Sequence, residues 1–177
     1  MQALNISDVS ALVRYGVKGP QAEKWLMGHG VAVPKSANSW VLNAGKTLVM
    51  RLGSSEYLIE DQAGGQICKK LVADNVRVAG VYKVPHADAA YLLAGSEVLN
   101  LLSEVCSLDL RESALQANKL VMTQVAGISA TVLYQNFSKE TIYRLWCDGT
   151  YGVYMKHVLL EIAGELSGVV TEGKVEK

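Results

Sequence analysis

The sequence predicts an α+β fold with mainly antiparallel strands. Short stretches with period-two alternation come in runs, broken by short helix-like segments rather than alternating one for one with long helices. The chain also echoes itself: Tyr15/Tyr91, Gly19/Gly95 and Leu26/Leu102 share one offset of 76 residues. A second echo sets Glu56-Tyr57-Leu58-Ile59 beside Thr141-Ile142-Tyr143-Arg144-Leu145. Together these predict a single pseudo-duplicated domain over residues 1–167, with halves at about 8–73 and 76–166. Each half reads as strand, helix, strand meander and helix.

Val13, Tyr15 and Val17 alternate with Arg14, Gly16 and Lys18, the pattern of a half-buried strand. Gly19-Pro20 then opens a helix, with Pro20 at its first position. Ala22, Trp25 and Leu26 form its apolar stripe, and Gly28 and Gly30 stop it. Trp40–Leu42 and Thr47–Leu52 read as strands around the turn Asn43-Ala44-Gly45, and Tyr57–Ile59 as the next strand after Gly53-Ser54-Ser55. A short helix carries Ile67, Cys68, Leu71 and Val72.

The second half opens with Val76, Val78 and Tyr82–Val84, followed by a strand at Tyr91 and Leu93. Ser96 is the candidate N-cap of a helix bearing Val98, Leu99, Leu102 and Val105. Leu120–Val125, Ala130–Tyr134 and Ile142–Trp146 are the meander, with a polar turn at Asn136–Glu140. Tyr151, Tyr154, Val158, Ile162 and Leu166 space out as one face of a long helix. Residues 168–177 follow no period and read as a flexible tail.

Composition narrows the function classes. Of the 177 residues half are hydrophobic, enough for a sizeable core, and the formal net charge is zero. Lys and Arg are scattered, so the phosphate-backbone footprint of a nucleic-acid binder is not expected. No basic segment leads into an apolar one at the N-terminus, and no apolar run approaches the roughly 20 residues that span a bilayer. The expectation is a cytoplasmic protein with no membrane partner. Cys68, Cys106 and Cys147 form no CxxC pair and read as reduced, buried thiols. His29, His86 and His157 are widely separated, and separate structural or surface roles outweigh a shared site. The glycines between Gly16 and Gly30 lack the spacing of a dinucleotide cradle. Tyr151, Tyr154 and Trp146 are either core or an interface patch.

Three segments carry a family resemblance: Arg14-Tyr15-Gly16-Val17-Lys18-Gly19-Pro20-Gln21-Ala22, Arg51-Leu52-Gly53-Ser54-Ser55-Glu56-Tyr57-Leu58, and the strand–helix finish from Asp148 to Leu160. In order and spacing the chain resembles the gamma subunit of heterotetrameric sarcosine oxidase over residues 8–166. More distantly it is similar to the folate-binding domain of glycine-cleavage aminomethyltransferases. Met122 stands where gamma chains often carry Arg before the residue matching Thr123, and Thr150-Tyr151-Gly152 departs from the usual start of the closing helix.

The resemblance implies two related, intertwined halves and a structural role beside large and small subunits. It implies that FAD, FMN, NAD, folate and zinc belong to those partners and that this chain binds none of them. Aminomethyl transfer in the related enzymes uses a carboxylate near the reacting amine, because a developing cationic centre needs a negative neighbour. The comparable hairpin here, Asn43–Leu48, contains no Asp or Glu, so no catalytic residue is assigned and no activity is expected from the isolated chain. The function implied is that of a non-catalytic assembly subunit of a sarcosine oxidase-like flavoenzyme. The alternatives are a stand-alone folate or small-molecule binding protein and, more weakly, a homo-oligomeric binding module. Partner-contact candidates are Arg14, Lys18 and Arg51: the first two share the polar face of one strand, and Arg51 is placed on a neighbouring strand.

Overall fold

The computed structural model describes residues 4–44, 46–74, 77–137, 140–167 and 171–173. It is a mixed α+β structure with two mainly antiparallel sheets and, among the described residues, four α-helices. The chain divides into two compact units, one formed by residues 12–86 and the other by residues 4–11 together with 87–173. The first strand, β1 (Asn5–Asp8), therefore belongs to the second unit.

The unit of residues 12–86 contains β2 (Arg14–Lys18), α1 (Ala22–Gly28), β3 (Ser39–Asn43), β4 (Thr47–Arg51), β5 (Glu56–Asp61), α2 (Ile67–Ala73) and β6 (Tyr82–Val84). Its sheet order is β3-β4-β5-β2-β6. Register sets Tyr15 opposite Ile59, Val17 opposite Tyr57, and Val49 on the other side of Ile59. Because facing residues on paired strands point the same way, these five share one face. They form a buried core with Ala22 and Leu26 of α1 and Cys68 and Leu71 of α2.

The second unit adds β7 (Asp88–Ala94), α3 (Val98–Val105), β8 (Leu120–Val125), β9 (Ile128–Phe137), β10 (Glu140–Asp148), α4 (Gly152–Ser167) and β11 (Thr171–Gly173). Its sheet order is β11-β1-β7-β10-β9-β8. Tyr91 faces Leu145, Leu93 faces Tyr143, and Val132 faces Leu145 from β9. That is the pairing of Tyr15 with Ile59, Val17 with Tyr57 and Val49 with Ile59 over again. From β2 and from β7 onward, the units each run strand, helix, three strands, helix, strand. In each, the turn from the first strand into the helix is made by a glycine at positive φ, Gly19 at 121° and Gly95 at 117°, where a Cβ would be strained.

Several elements differ from the sequence reading. Tyr82–Val84 does not open the second half; it pairs with β2 in the first sheet, Gly16 facing Val84. The division falls at residues 86/87, and β1 closes on β7 rather than on its sequence neighbours. Within the expected tail, Thr171–Gly173 is an ordered edge strand parallel to β1, with Asn5 facing Thr171, because an unpaired strand edge gains ladder hydrogen bonds there. Pro20 and Ser96 each precede the actual cap by one residue; the caps are Gln21 and Glu97, and neither makes a side-chain cap bond. Gly45, Val76 and residues 138–139, and the rest of the tail, lie outside the described residues.

The buried face of α4 is also not the tyrosine stripe. Met155, Leu159 and Ala163 are fully buried, while Tyr151 and Tyr154 are exposed. The reason is close packing at the helix start, where a Cβ on Gly152 would come 2.8 Å from Cβ of Ala89 in β7. A helix seated that tightly turns its small residue inward and its tyrosines out. The same helix carries Gly164, around which a Cβ would meet nothing within 4 Å. Two opposite outcomes follow in urea denaturation. Gly152→Ala lowers stability by about 1–3 kcal/mol through overpacking. Gly164→Ala raises it by about 0.5–1 kcal/mol through helix propensity.

Candidate functional site

The structure separates the three partner-contact candidates. β5 lies between β4 and β2, so Arg51 is not on a strand adjacent to Arg14. Arg51 faces Tyr57 and so points to the α1/α2 side, whereas Arg14 faces Glu60 on the opposite side of the sheet. Nε of Arg14 donates to Oε2 of Glu60 at 2.8 Å, with the two side chains 4% and 0% exposed. Arg14 is thus an internal ion-pair partner rather than a surface group. Lys18 alone of the three is exposed.

Arg51 is a hub for main-chain carbonyls. Its Nη2 donates to Ser54 O at 2.7 Å, its Nη1 to Pro34 O at 3.2 Å and its Nε to Gly53 O at 3.3 Å. Nη1 also lies 3.2 Å from Oε2 of Glu23, and the guanidinium sits 5.4 Å from the centre of the Tyr57 ring. Tyr57 donates its hydroxyl to the same Glu23 oxygen at 3.1 Å. Burial pushes the Tyr57 phenol up to about 12, against the opposing pull of Arg51. One planar cation therefore ties α1, β5, the loop before β3 and the turn after β4.

The hairpin from Asn43 to Leu48 places no carboxylate at its tip, but a carboxylate from elsewhere stands beside it. Asp61, at the end of β5, faces Thr47. It accepts the Thr47 hydroxyl at 2.6 Å and the Cys68 N–H at 2.9 Å, so it holds the start of α2. The sequence reading missed it because Asp61 ends β5, well before the N-cap position of α2, which is Gln66. Both Asp61 oxygens are engaged with the protein itself. Asn43 is likewise occupied: its Oδ1 accepts from Ala32 N at 2.7 Å and its Nδ2 donates to Ala32 O at 2.9 Å.

The cysteines are free and buried. Burial first, then the charge of Asp61, pushes the Cys68 thiol up to about 12. Burial likewise raises Cys147 to about 11, with Asp88 and Asp148 adding to it. Neither is a nucleophile at neutral pH. Of the histidines, His29 and His86 lie in the first unit and His157 on α4 in the second. Among the described residues no three His, Cys, Asp or Glu side chains are grouped to hold a metal ion.

What the second unit does present is apolar surface. Val153 is 88% exposed at the start of α4, flanked by Tyr151 and Tyr154, each 47% exposed. Trp146 is buried and does not belong to this patch. The Tyr154 hydroxyl donates to Ala126 O at 3.2 Å, which fixes that ring against the β8–β9 turn. On the same unit a depression of about 510 Å³ runs between α3 and the segment after it, lined by Leu99, Leu102, Cys106, Leu108, Leu110 and Arg111. Arg111 grips Asp109 with Nε at 2.9 Å and Nη2 at 2.6 Å, and these bonds hold that carboxyl down to about 2. The rim charge is therefore neutralised in place.

No family model and no curated protein matches the sequence. Solved structures do match. A chain of heterotetrameric sarcosine oxidase from Corynebacterium sp. U-96, solved in complex with pyrrole 2-carboxylate, superposes with a TM-score of 0.72 at 16% identity, covering 94% of this chain and 86% of that one. The glycine cleavage system aminomethyltransferase T from Bartonella henselae superposes with a TM-score of 0.62 at 14% identity, covering 97% of this chain and 48% of that one. This chain has their fold. It spans about half the length of the transferase. No helix among the described residues is long and apolar enough to cross a membrane.

Two measurements check the site chemistry. Arg51→Ala should lower stability by about 1.5–3 kcal/mol, and Arg51→Lys should not restore it, since an ammonium cannot span the same carbonyls. Maleimide labelling of Cys68 and Cys147 at neutral pH should follow global unfolding in urea rather than precede it.

Proposed function

We propose that this chain is a non-catalytic assembly subunit of a sarcosine oxidase-like heteromeric flavoenzyme, equivalent to its gamma subunit. The observation that carries the reading is the extent of the fold match, 94% of this chain on 86% of a chain from a heterotetrameric oxidase, against 48% of the transferase. The exposed Tyr151–Val153–Tyr154 patch supports it, because aromatic and aliphatic side chains held at a surface are what a permanent partner interface uses. The commitment of Asp61 to Thr47 and Cys68 supports the non-catalytic part, since the carboxylate nearest the hairpin serves the fold.

In this reading the complex is cytoplasmic and oxidatively demethylates sarcosine to glycine. It yields hydrogen peroxide and passes the formaldehyde-level carbon to tetrahydrofolate. FAD, FMN, NAD, folate and zinc sit on the large and small partner subunits, and this chain supplies none of the reacting groups.

A second reading, a stand-alone folate or small-molecule binder, draws on the likeness to the aminomethyltransferase and on the depression beside α3. Co-expression with candidate flavin- and folate-bearing subunits separates the two. Stoichiometric co-purification, with no sarcosine turnover and no flavin spectrum from the isolated chain, is the expected result. Val153→Glu with Tyr154→Glu should weaken assembly by at least about 2 kcal/mol, roughly 30-fold, while leaving the circular dichroism unchanged. Turnover by the chain alone, or tight folate binding without partners, would transfer support to the second reading.

A further inference from the structure

His29 caps the C-terminal end of α1, and its ring is flanked by acceptors on both sides. Nδ1 lies 2.8 Å from the carbonyl oxygen of Trp25. Nε2 lies 2.8 Å from Oδ2 of Asp74, the residue that caps α2. A carbonyl has no proton to donate, and an ionised carboxylate has none either. A neutral imidazole carries one N–H and can satisfy only one of the two contacts. Holding both at once takes two protons, and because imidazole is a stronger base than a carboxylate, the second belongs on the ring. We propose that His29 is a proton-dependent clamp between the C-terminal ends of α1 and α2, closed as the imidazolium and open on one side as the neutral ring.

The surroundings fit a clamp that exchanges its proton with solvent yet acts on packed elements. The His29 side chain is 32% exposed and that of Asp74 15%. The Trp25 ring lies 4.3 Å from the imidazole centroid and stacks in turn at 6.0 Å on Tyr15 of β2. Charged and titratable groups approach from each neighbouring element. Asp74 comes from α2, and Lys83 of β6 donates its Nζ to Asp74 O at 2.9 Å and sits 5.8 Å from the Tyr15 ring centre. Tyr15 has its phenol pushed up by burial and then by the charge of Asp74. The clamp is complete at low pH and loses one contact as the pH rises through imidazole deprotonation.

The test is ring nitrogen NMR of His29 in the full chain between about pH 5 and pH 8. It is run beside amide exchange at Asp74 and Val31, corrected for the intrinsic pH dependence. These two N–H groups bond to Lys70 O at 3.2 Å and Leu26 O at 3.1 Å, so they report the two helix ends. In the wild type both ring nitrogens should be protonated at the lower end. As the proton leaves, exchange at the two reporters should rise about tenfold, the scale of one lost charged hydrogen bond. Asp74→Asn is the discriminating variant: its side-chain amide can donate to a neutral Nε2, so both contacts survive and the exchange becomes independent of pH. His29→Gln should exchange fast at both ends of the range. A wild-type ring that stays neutral throughout while exchange stays slow would overturn the proposal. So would Asp74→Asn behaving as the wild type does.

Discussion

The central strand pair of each sheet is the constraint on which the rest depends. In the first unit, β2 and β5 set Tyr15 and Val17 against Ile59 and Tyr57 on the helix-covered face. On the other face the same register sets Arg14 against Glu60, both buried. A slip of one residue would turn every side chain to the wrong side. Here it would drive a guanidinium and a carboxylate among Leu26, Leu71 and Cys68, and bring tyrosines where the ion pair had been. The ion pair adds little net stability, since desolvating two charges offsets most of their attraction. Its effect is on register: any alternative pairing leaves an uncompensated buried charge, which costs several kilocalories per mole.

The helices are then held by polar groups that come from strands and loops, not from caps of their own. Neither α1 nor α3 has a side-chain N-cap bond. α1 is instead fixed by Glu23, which meets both Arg51 and Tyr57 of the sheet beneath it. α2 is fixed through its Cys68 N–H on Asp61. α4 depends on shape, since Gly152 lets it approach β7 and the Tyr91 hydroxyl donates to Gly152 O at 2.7 Å. Short helices are marginal alone, so tertiary anchoring decides where they lie.

This explains which parts of the structure were legible in the sequence. The echoes Tyr15/Tyr91 and Gly19/Gly95 were visible because strand register and a positive φ each demand a specific residue type at a specific place. The strands themselves were visible because a half-buried sheet face imposes a period of two. The true face of α4 was hidden, since Met155, Leu159 and Ala163 compete with an equally regular stripe through Tyr151 and Tyr154, and only the contact at Ala89 decides between them. β6 was misplaced because three residues carry no periodic signal and their partner, β2, lies far back in the chain. Arg14 and Arg51 were read as partner-contact candidates from their place on strands alone. Their acceptors, Glu60 and a set of main-chain carbonyls, are brought to them by pairing and loop closure, which a linear pattern does not encode.

Those commitments also shape what the protein can offer a partner. Arg14 is spent on Glu60, Arg51 on Glu23 and loop carbonyls, and Arg111 on Asp109. An arginine already bound to its own chain must break those bonds before it can clamp a foreign carboxylate, so these three are poor anchors for one. Lys18 is exposed, and a lysine acts as a hydrated point charge that steers encounter more than it anchors it. Among the exposed apolar side chains are Tyr151, Val153 and Tyr154, positioned by the tight seat of α4 on β7. Two tyrosines of few rotamers lose little entropy on being covered, and Tyr154 loses less still because its hydroxyl is tied to Ala126. An apolar surface on a chain of zero formal net charge binds by fit and burial, and such binding is correspondingly insensitive to salt.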